Sequence, residues 1–461
     1  RDRLRPRPEG SRRSISAGRS VAAIAWLPRD TFDTRLRERV GRLLAGAFDG
    51  RLASVGVALG DGPLARVHYI IATTAGAVPQ VDDAVLEAAM TQAARSFADR
   101  LGDALARDRG EDEAARLLAR WAEGFPPAYR EETPAALAVA DLRLAEEAIG
   151  QGRLAARIER APGDDARRLT LRLVRPGGPL PLADALPLFE ALDLRALEEV
   201  PHRLSPAGAS PAVLHVFTLE AGCEARPERF PALLAALEAL LTGRAEADGF
   251  NRLVLRAGLD WRECWLLRAM FPWAEPVGVA FPPGAGTGAL AAQPEAARLL
   301  VDLFNARFDP ARPRDEAAEA ALARRWDALL EANADPDADR IFTRLRRLLD
   351  AVLRTNYFQE RDRLVLKIDS AAAGEMPLPR PWREIFVHAA AMEGCHLRAG
   401  PVARGGIRWS DRREDFRTEI LGLMKAQRLK NVVIVPTGAK GGFVLKGAVP
   451  TDREGFMAVS Y

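Results

Sequence analysis

Lys440 stands in Gly438-Ala439-Lys440-Gly441-Gly442, Arg404 precedes a second glycine pair, Gly405-Gly406, and Lys425 and Lys430 lie between them. Cations beside glycine pairs suit a small anionic ligand. A residue without Cβ lets the backbone and the neighbouring side chain approach such a ligand closely. Several cations around one cleft donate charge-assisted hydrogen bonds to each oxygen of a substrate with more than one carboxylate. A lysine at a strand's end, crowded by other cations, is a candidate general base. From Arg398 to Lys446 there are eleven basic and four acidic residues, a net +7, while the whole chain carries +3. The rest is therefore net acidic, and positive potential concentrates in this one segment.

The elements that must position these groups follow from the same stretch. A helix is expected from Asp411 to Leu429, with Asp411 as N-cap and Glu414 completing a capping box. Phe416, Ile420, Leu423, Met424 and Gln427 share one stripe of it, and the apolar ones would enter a core. Val432 to Val435 is a β-branched run ended by Pro436-Thr437-Gly438, which reads as a buried strand. Lys440 would then sit just past a strand's carboxyl end, where ligands bind in open α/β sheets.

The runs GPVARGGIRWSDRREDFRTEILGLMKAQ, LKNVVIVP and GAKGGF resemble the large NAD-specific glutamate dehydrogenases. The likeness continues through RTNYFQ (Arg354 to Gln359), LVLKIDS (Leu364 to Ser370) and EIFVHAAAMEGCHLR (Glu384 to Arg398), and more diffusely to WLPRDTFDTRLRERV near the start. It implies that Lys440 is the catalytic lysine that activates the attacking water. It also implies that Arg404 replaces the carboxylate-binding lysine of a G-P-x-K-G-G loop, here one residue longer. Lys430 matches the family's middle, carboxylate-binding lysine, with Lys425 as the alternative; Gly405, Gly406, Gly441 and Gly442 shape the two substrate loops. The implied reaction is reversible oxidative deamination of L-glutamate to 2-oxoglutarate and ammonia, with hydride passed to NAD, in a cytoplasmic homo-oligomer. The family's aspartate and nicotinamide-binding domain are expected beyond Tyr461. The chain, which opens on Arg1, is therefore expected to be a fragment, inactive by itself. A second reading is a regulatory or oligomerisation module with amino-acid-binding domains.

The 461 residues, 48% apolar and 28% charged, can bury several cores, at about 150 residues per domain. The expected class is α+β multidomain. Residues 1–17 read as a disordered tail. In 18–75, a strand (Val21 to Leu27), a helix carrying Leu36, Val40 and Leu44, and a hairpin turning at Gly60-Asp61-Gly62 suggest a ferredoxin-like βαββ sandwich of the ACT-like kind. Residues 76–165 read as a helical connector, 166–222 as a second ACT-like βαββ module, and 223–353 as helical, with one helix over Ala317 to Leu353. Residues 354–461 would begin an α/β amino-acid dehydrogenase domain.

Other chemistries are disfavoured. Cys223, Cys264 and Cys395 are isolated, and the five histidines form no i, i+4 pair, so neither a disulfide framework nor a metal site is expected. Acids balance bases along the helical stretches, unlike a nucleic-acid surface. No apolar run approaches the roughly 20 residues of a membrane span. Gly60-x-Gly62-x-x-Ala65 precedes a strand rather than a helix, and Gly284-x-Gly286-x-Gly288 follows Pro282-Pro283 without a later acidic residue at a strand end. Neither is expected to hold a dinucleotide.

Overall fold

The computed structural model describes residues 9–14, 20–29, 32–60, 62–74, 79, 81–160, 163, 165–273, 284–374, 378–413, 415–430 and 438–447, with the backbone alone for 9–14 and 427–430. The chain divides into two compact units, Arg1–Gly152 with His202–Val213, and Arg153–Pro201 with Leu214–Tyr461.

The first unit opens with strands β1 (Glu9–Ser14) and β2 (Ser20–Pro28), helix α1 (Thr34–Ala47), and strands β3 (Arg51–Leu59) and β4 (Leu64–Ala72), in the sheet order β1-β2-β4-β3. Alternation along β2 and β4 turns Val21, Ala23, Val67, Tyr69 and Ile71 inward. On α1, Leu36, Val40 and Leu44 recur at helical spacing and close over that face. Asp33 starts the helix by accepting the Leu36 amide at 2.6 Å. Helices α2 (Asp83–Ala94), α3 (Phe97–Arg109), α4 (Glu111–Trp121), α5 (Pro127–Glu132) and α6 (Ala135–Gln151) follow. Their aromatic centre is satisfied locally: the Trp121 indole donates to Glu146 at 2.6 Å, and the Tyr129 hydroxyl to the buried Asp141 at 2.5 Å.

A second sheet repeats the first. Strands β5 (Ala155–Glu159) and β6 (Arg168–Pro176), helix α7 (Leu182–Ala191), and strands β7 (Leu194–Leu204) and β8 (Ala212–Ala221) order as β5-β6-β8-β7, and helix α8 (Phe230–Leu241) follows. Each sheet thus holds the expected βαββ set plus an edge strand that precedes it in sequence. Glu9–Ser14 is therefore a strand rather than part of an unstructured tail, and Ala155–Glu159 is a strand rather than an extension of the helical connector. Each edge strand pairs antiparallel with the strand that follows it.

The helical layer of the second unit comprises α9 (Leu253–Ala257), α10 (Trp261–Met270), α11 (Ala285–Ala292), α12 (Pro294–Phe308), α13 (Glu316–Ala332) and α14 (Pro336–Ala351). The single helix expected over Ala317 to Leu353 is broken at Asn333. Asp335 caps a new helix by accepting from the amides of Asp337 and Ala338, and Pro336 takes its first turn, where no amide is needed. Strands β9 (Val352–Thr355), β10 (Leu364–Asp369), β11 (Arg383–His388), β12 (Met392–Arg398), β13 (Ile407–Trp409) and β14 (Ala439–Leu445) form a sheet ordered β13-β14-β12-β11-β10-β9. Its described pairings are antiparallel except β13 with β14. Helix α15 (Phe416–Lys430) lies on it, and Phe416, Ile420, Leu421 and Met424 join Leu366, Phe386, Cys395, Leu397 and Val444 in one core.

Candidate active site

Lys440 is the second residue of β14, not a loop residue past a strand's end. Both neighbouring strands hold this backbone in a ladder: the Ala439 amide donates to the Arg404 carbonyl at 3.1 Å, the Gly441 amide to Gly406 at 3.0 Å, and Ala399 to the Gly438 carbonyl at 3.0 Å. The expected strand Val432 to Val435 lies outside the described residues.

The register brings Arg404 and Lys440 together. Ile407 pairs with Gly441 in parallel, and the isolated bridge of Arg404 with Gly438 keeps the same offset. Successive residues of a strand alternate faces, so Arg404, Gly406 and Arg408 fall on the face of Gly438, Lys440 and Gly442. That face is the one α15 covers: Arg408 reaches Glu419 of the helix at 3.4 Å, and a Cβ on Gly442 would meet Ile420 Cδ1 at 2.3 Å. Arg404 and Lys440 therefore occupy adjacent strands, two positions apart, on one face. Lys440 is half-buried beside the buried Leu397 that pairs with it, and Arg404 is exposed.

The other expected groups distribute differently. Lys430 is the last residue of α15, and Lys425 is exposed beside the buried Met424. Gly405 and Gly406 are exposed, with nothing within 4 Å of a Cβ on Gly406. Gly441 and Gly442 lie within β14. Gly442 admits Ile420, and a Cβ on Gly441 would meet Ile407 Cγ1 at 2.9 Å. Close packing of sheet and helix requires Gly442, whereas Gly441, on the opposite face, is crowded by Ile407 and His396 of the neighbouring strands.

The cations of this stretch are also less free than their number suggests. Arg412 pairs with Asp415, and Arg417 grips the fully buried Glu384 through two bonds of 2.9 and 2.7 Å. Helix α15 begins at Phe416, and Arg412 before it is held locally: Ser410 Oγ accepts the Arg412 amide at 3.1 Å, and the Asp415 carboxylate accepts from the Arg412 guanidinium at 3.0 Å. Asp411 is not the N-cap, and Glu414 lies outside the described residues.

A group that the sequence reading did not single out is Lys446. Its ammonium, with a side chain 5% exposed, donates to both oxygens of Glu246 at 3.0 and 2.9 Å, and pairs with Glu393 at 2.9 Å. Nζ also lies 2.8 Å from His388 Nε2, while the Trp265 indole donates to His388 Nδ1 at 2.8 Å. The indole only donates, so Nδ1 accepts, while Nε2 faces the ammonium, with Glu246 and Glu393 at 3.6 and 3.5 Å. Burial, then the Lys446 and Arg268 charges, pull the His388 pKa down to about 2. Glu246 and Glu393 are remote in sequence, so only the charge of Lys446 was visible beforehand.

Gly60 and Gly62 lead into β4, and the position of a Cβ on Gly286 is filled by the Phe271 ring at 1.7 Å, so that glycine serves packing of α11. The run Val277 to Phe281 lies outside the described residues. Among the described residues no group of three or more His, Cys, Asp or Glu side chains could hold a metal, and no helix is long and apolar enough to cross a membrane. His215 is a core histidine, bonded to Glu199 at 2.6 Å and to the Leu180 amide at 3.0 Å.

Comparison with known families agrees with this layout. Residues 326–461 match the bacterial NAD-glutamate dehydrogenase catalytic domain, and residues 13–98 and 153–229 match the glutamate dehydrogenase ACT2 and ACT3 domains. Residues 104–148 and 245–310 match the helical motifs 2 and 3 of glutamate dehydrogenase. The chain belongs to the NAD-specific glutamate dehydrogenase family. Proteins of that name from Halomonas elongata, Pseudomonas aeruginosa and Mycobacterium tuberculosis are 37%, 36% and 36% identical over 96%, 93% and 95% of this chain. The alignments cover 28%, 27% and 29% of those relatives, so the chain spans somewhat more than a quarter of their length. The matched ACT domains coincide with the two four-stranded sheets, and the catalytic-domain match contains the whole six-stranded sheet with α15.

Proposed function

We propose that this chain supplies substrate-binding and proton-transfer residues of an NAD-dependent glutamate dehydrogenase that interconverts L-glutamate with 2-oxoglutarate and ammonia. The observation that carries the reading is the shared register of Arg404 and Lys440 on one sheet face, inside the stretch matched as catalytic domain. Lys440 is the base that activates water. Arg404, with Lys430 or Lys425, holds the substrate carboxylates, and Gly405 and Gly406 allow close approach. The NAD that takes the hydride would be bound by residues other than those described. The domain scheme goes with the proposal: ferredoxin-like ACT modules whose fourth strand enters from the amino-terminal side, a helical connector and helical domain, and a dehydrogenase domain from about Arg354. So do a cytoplasmic setting and a homo-oligomer.

The two ACT matches favour a second, compatible role, regulation by a bound amino acid. Calorimetry of the chain against a panel of amino acids tests it, and a flat response to all of them removes that role. For the dehydrogenase reading, Arg404→Ala in a polypeptide carrying this chain and active on glutamate is expected to raise the glutamate KM by about 10- to 100-fold, the worth of one charge-assisted contact. An unchanged KM would remove Arg404 from the substrate site.

A further inference from the structure

In the first unit, α1, the end of α2, the start of α3 and α5 enclose a recess of about 230 Å³ with four guanidiniums on its walls, Arg39, Arg95, Arg100 and Arg130, against the carboxylates of Asp33 and Glu131. Most of the acids there are already engaged. Asp33 caps α1, Glu131 pairs with Arg35, Asp103 with Arg95 at 2.5 Å, and Glu123 with Arg130 at 2.7 Å. Arg39 has no carboxylate partner among the described residues, and its Nε is buried without a hydrogen-bond acceptor. The Arg100 guanidinium donates to the Arg95 carbonyl at 2.9 Å. Burial first, then repulsion from Arg39 and Arg95, pulls the Arg100 pKa below its usual value, with Asp99 opposing.

Like charges gathered in a half-buried recess repel one another and pay a desolvation cost, and an anion relieves both. The start of α3, at Ser96 and Phe97, opens on the same recess, and the dipole of a 13-residue helix favours negative charge there. We propose that this recess binds a small dianion, with Arg39 and Arg100 as its principal ligands. The volume admits a phosphate or a short dicarboxylate and excludes a nucleotide. The site joins the ACT2 module to the helical stretch that follows it, so its occupant would tie the two together. Nothing in this inference depends on the dehydrogenase reading.

The test is thermal unfolding and calorimetry of the 461-residue chain, titrated with inorganic phosphate, succinate and, as monoanion control, acetate, for wild type and the Arg39→Gln/Arg100→Gln pair. A saturable rise in Tm with phosphate, succinate or both, absent with acetate and weakened about tenfold or more in the double variant, is expected. Response to phosphate alone assigns a phosphate-bearing ligand, and response to succinate alone a dicarboxylate. The double variant should keep wild-type circular dichroism and a ligand-free Tm no lower than wild type, because it removes repulsion. A non-saturating rise shared by wild type and variant, or equal affinity in both, would overturn the proposal.

Discussion

At the scale of single residues, His388 shows how a group is tuned by what surrounds it. Its ring takes a hydrogen bond from Trp265 and lies within reach of Lys446, Glu246 and Glu393. Burial and the nearby cations hold its pKa at about 2. In the unfolded chain the ring protonates near pH 6.5, so between those values the unfolded state binds more protons, and stability falls as pH drops below about 6.5. The contribution is at most about 1.4 kcal/mol per pH unit. Urea unfolding at pH 7 and pH 5 should show wild type losing up to about 2 kcal/mol more than His388→Gln; parallel losses would contradict the burial argument. None of this was readable in the sequence, where His388 is one of five scattered histidines. The juxtaposition of Arg404 and Lys440 was half readable: the glycine motifs named both residues, but only the strand register puts them on one face.

At the scale of elements, apolar periodicity foresaw most of the helices. Phe230 to Leu241, Leu253 to Ala257 and Trp261 to Met270 fall on α8, α9 and α10, because each has an apolar stripe and a clear break. Three misreadings had local causes. The helical period over Ala317 to Leu353 hides the break at Asn333, where Asp335 caps a new helix ahead of Pro336. The two edge strands are short: Glu9–Ser14 is polar throughout, and Ala155–Glu159 continues the Ala, Arg and Glu composition of the helix before it. Lys440 lies in a strand rather than the expected loop: paired glycines look like loop residues, yet Gly442 is what lets α15 sit against β14. Gly442→Val should therefore lower stability by about 1–3 kcal/mol through overpacking. Ile420→Ala, itself destabilising, should make the glycine substitution less costly in a double-mutant cycle followed by urea unfolding. Additive losses would show that Ile420 does not fill that space.

At the scale of the whole molecule, the chain reads as two similarly ordered four-stranded sheets, helices, and a six-stranded sheet with one covering helix. The amphipathic patterns announced that order. The pattern could not reveal the cluster linking Glu246 of the helical layer to Lys446 after β14, 200 residues apart. Lys446→Met would leave Glu246 and Glu393 facing each other without a cation, and should cost about 3–5 kcal/mol. Glu246→Gln should cost less, since Glu393 still pairs with the ammonium. Equal, small losses in calorimetric unfolding would show that the cluster is solvated rather than structural.

The most direct test of the dehydrogenase account is glutamate-dependent reduction of NAD by a polypeptide carrying this chain, measured for wild type and Lys440→Ala. The account predicts a fall in kcat of about 10²-fold or more from loss of the general base, with unfolding temperature and circular dichroism unchanged. Turnover equal to wild type in a folded Lys440→Ala protein would contradict it.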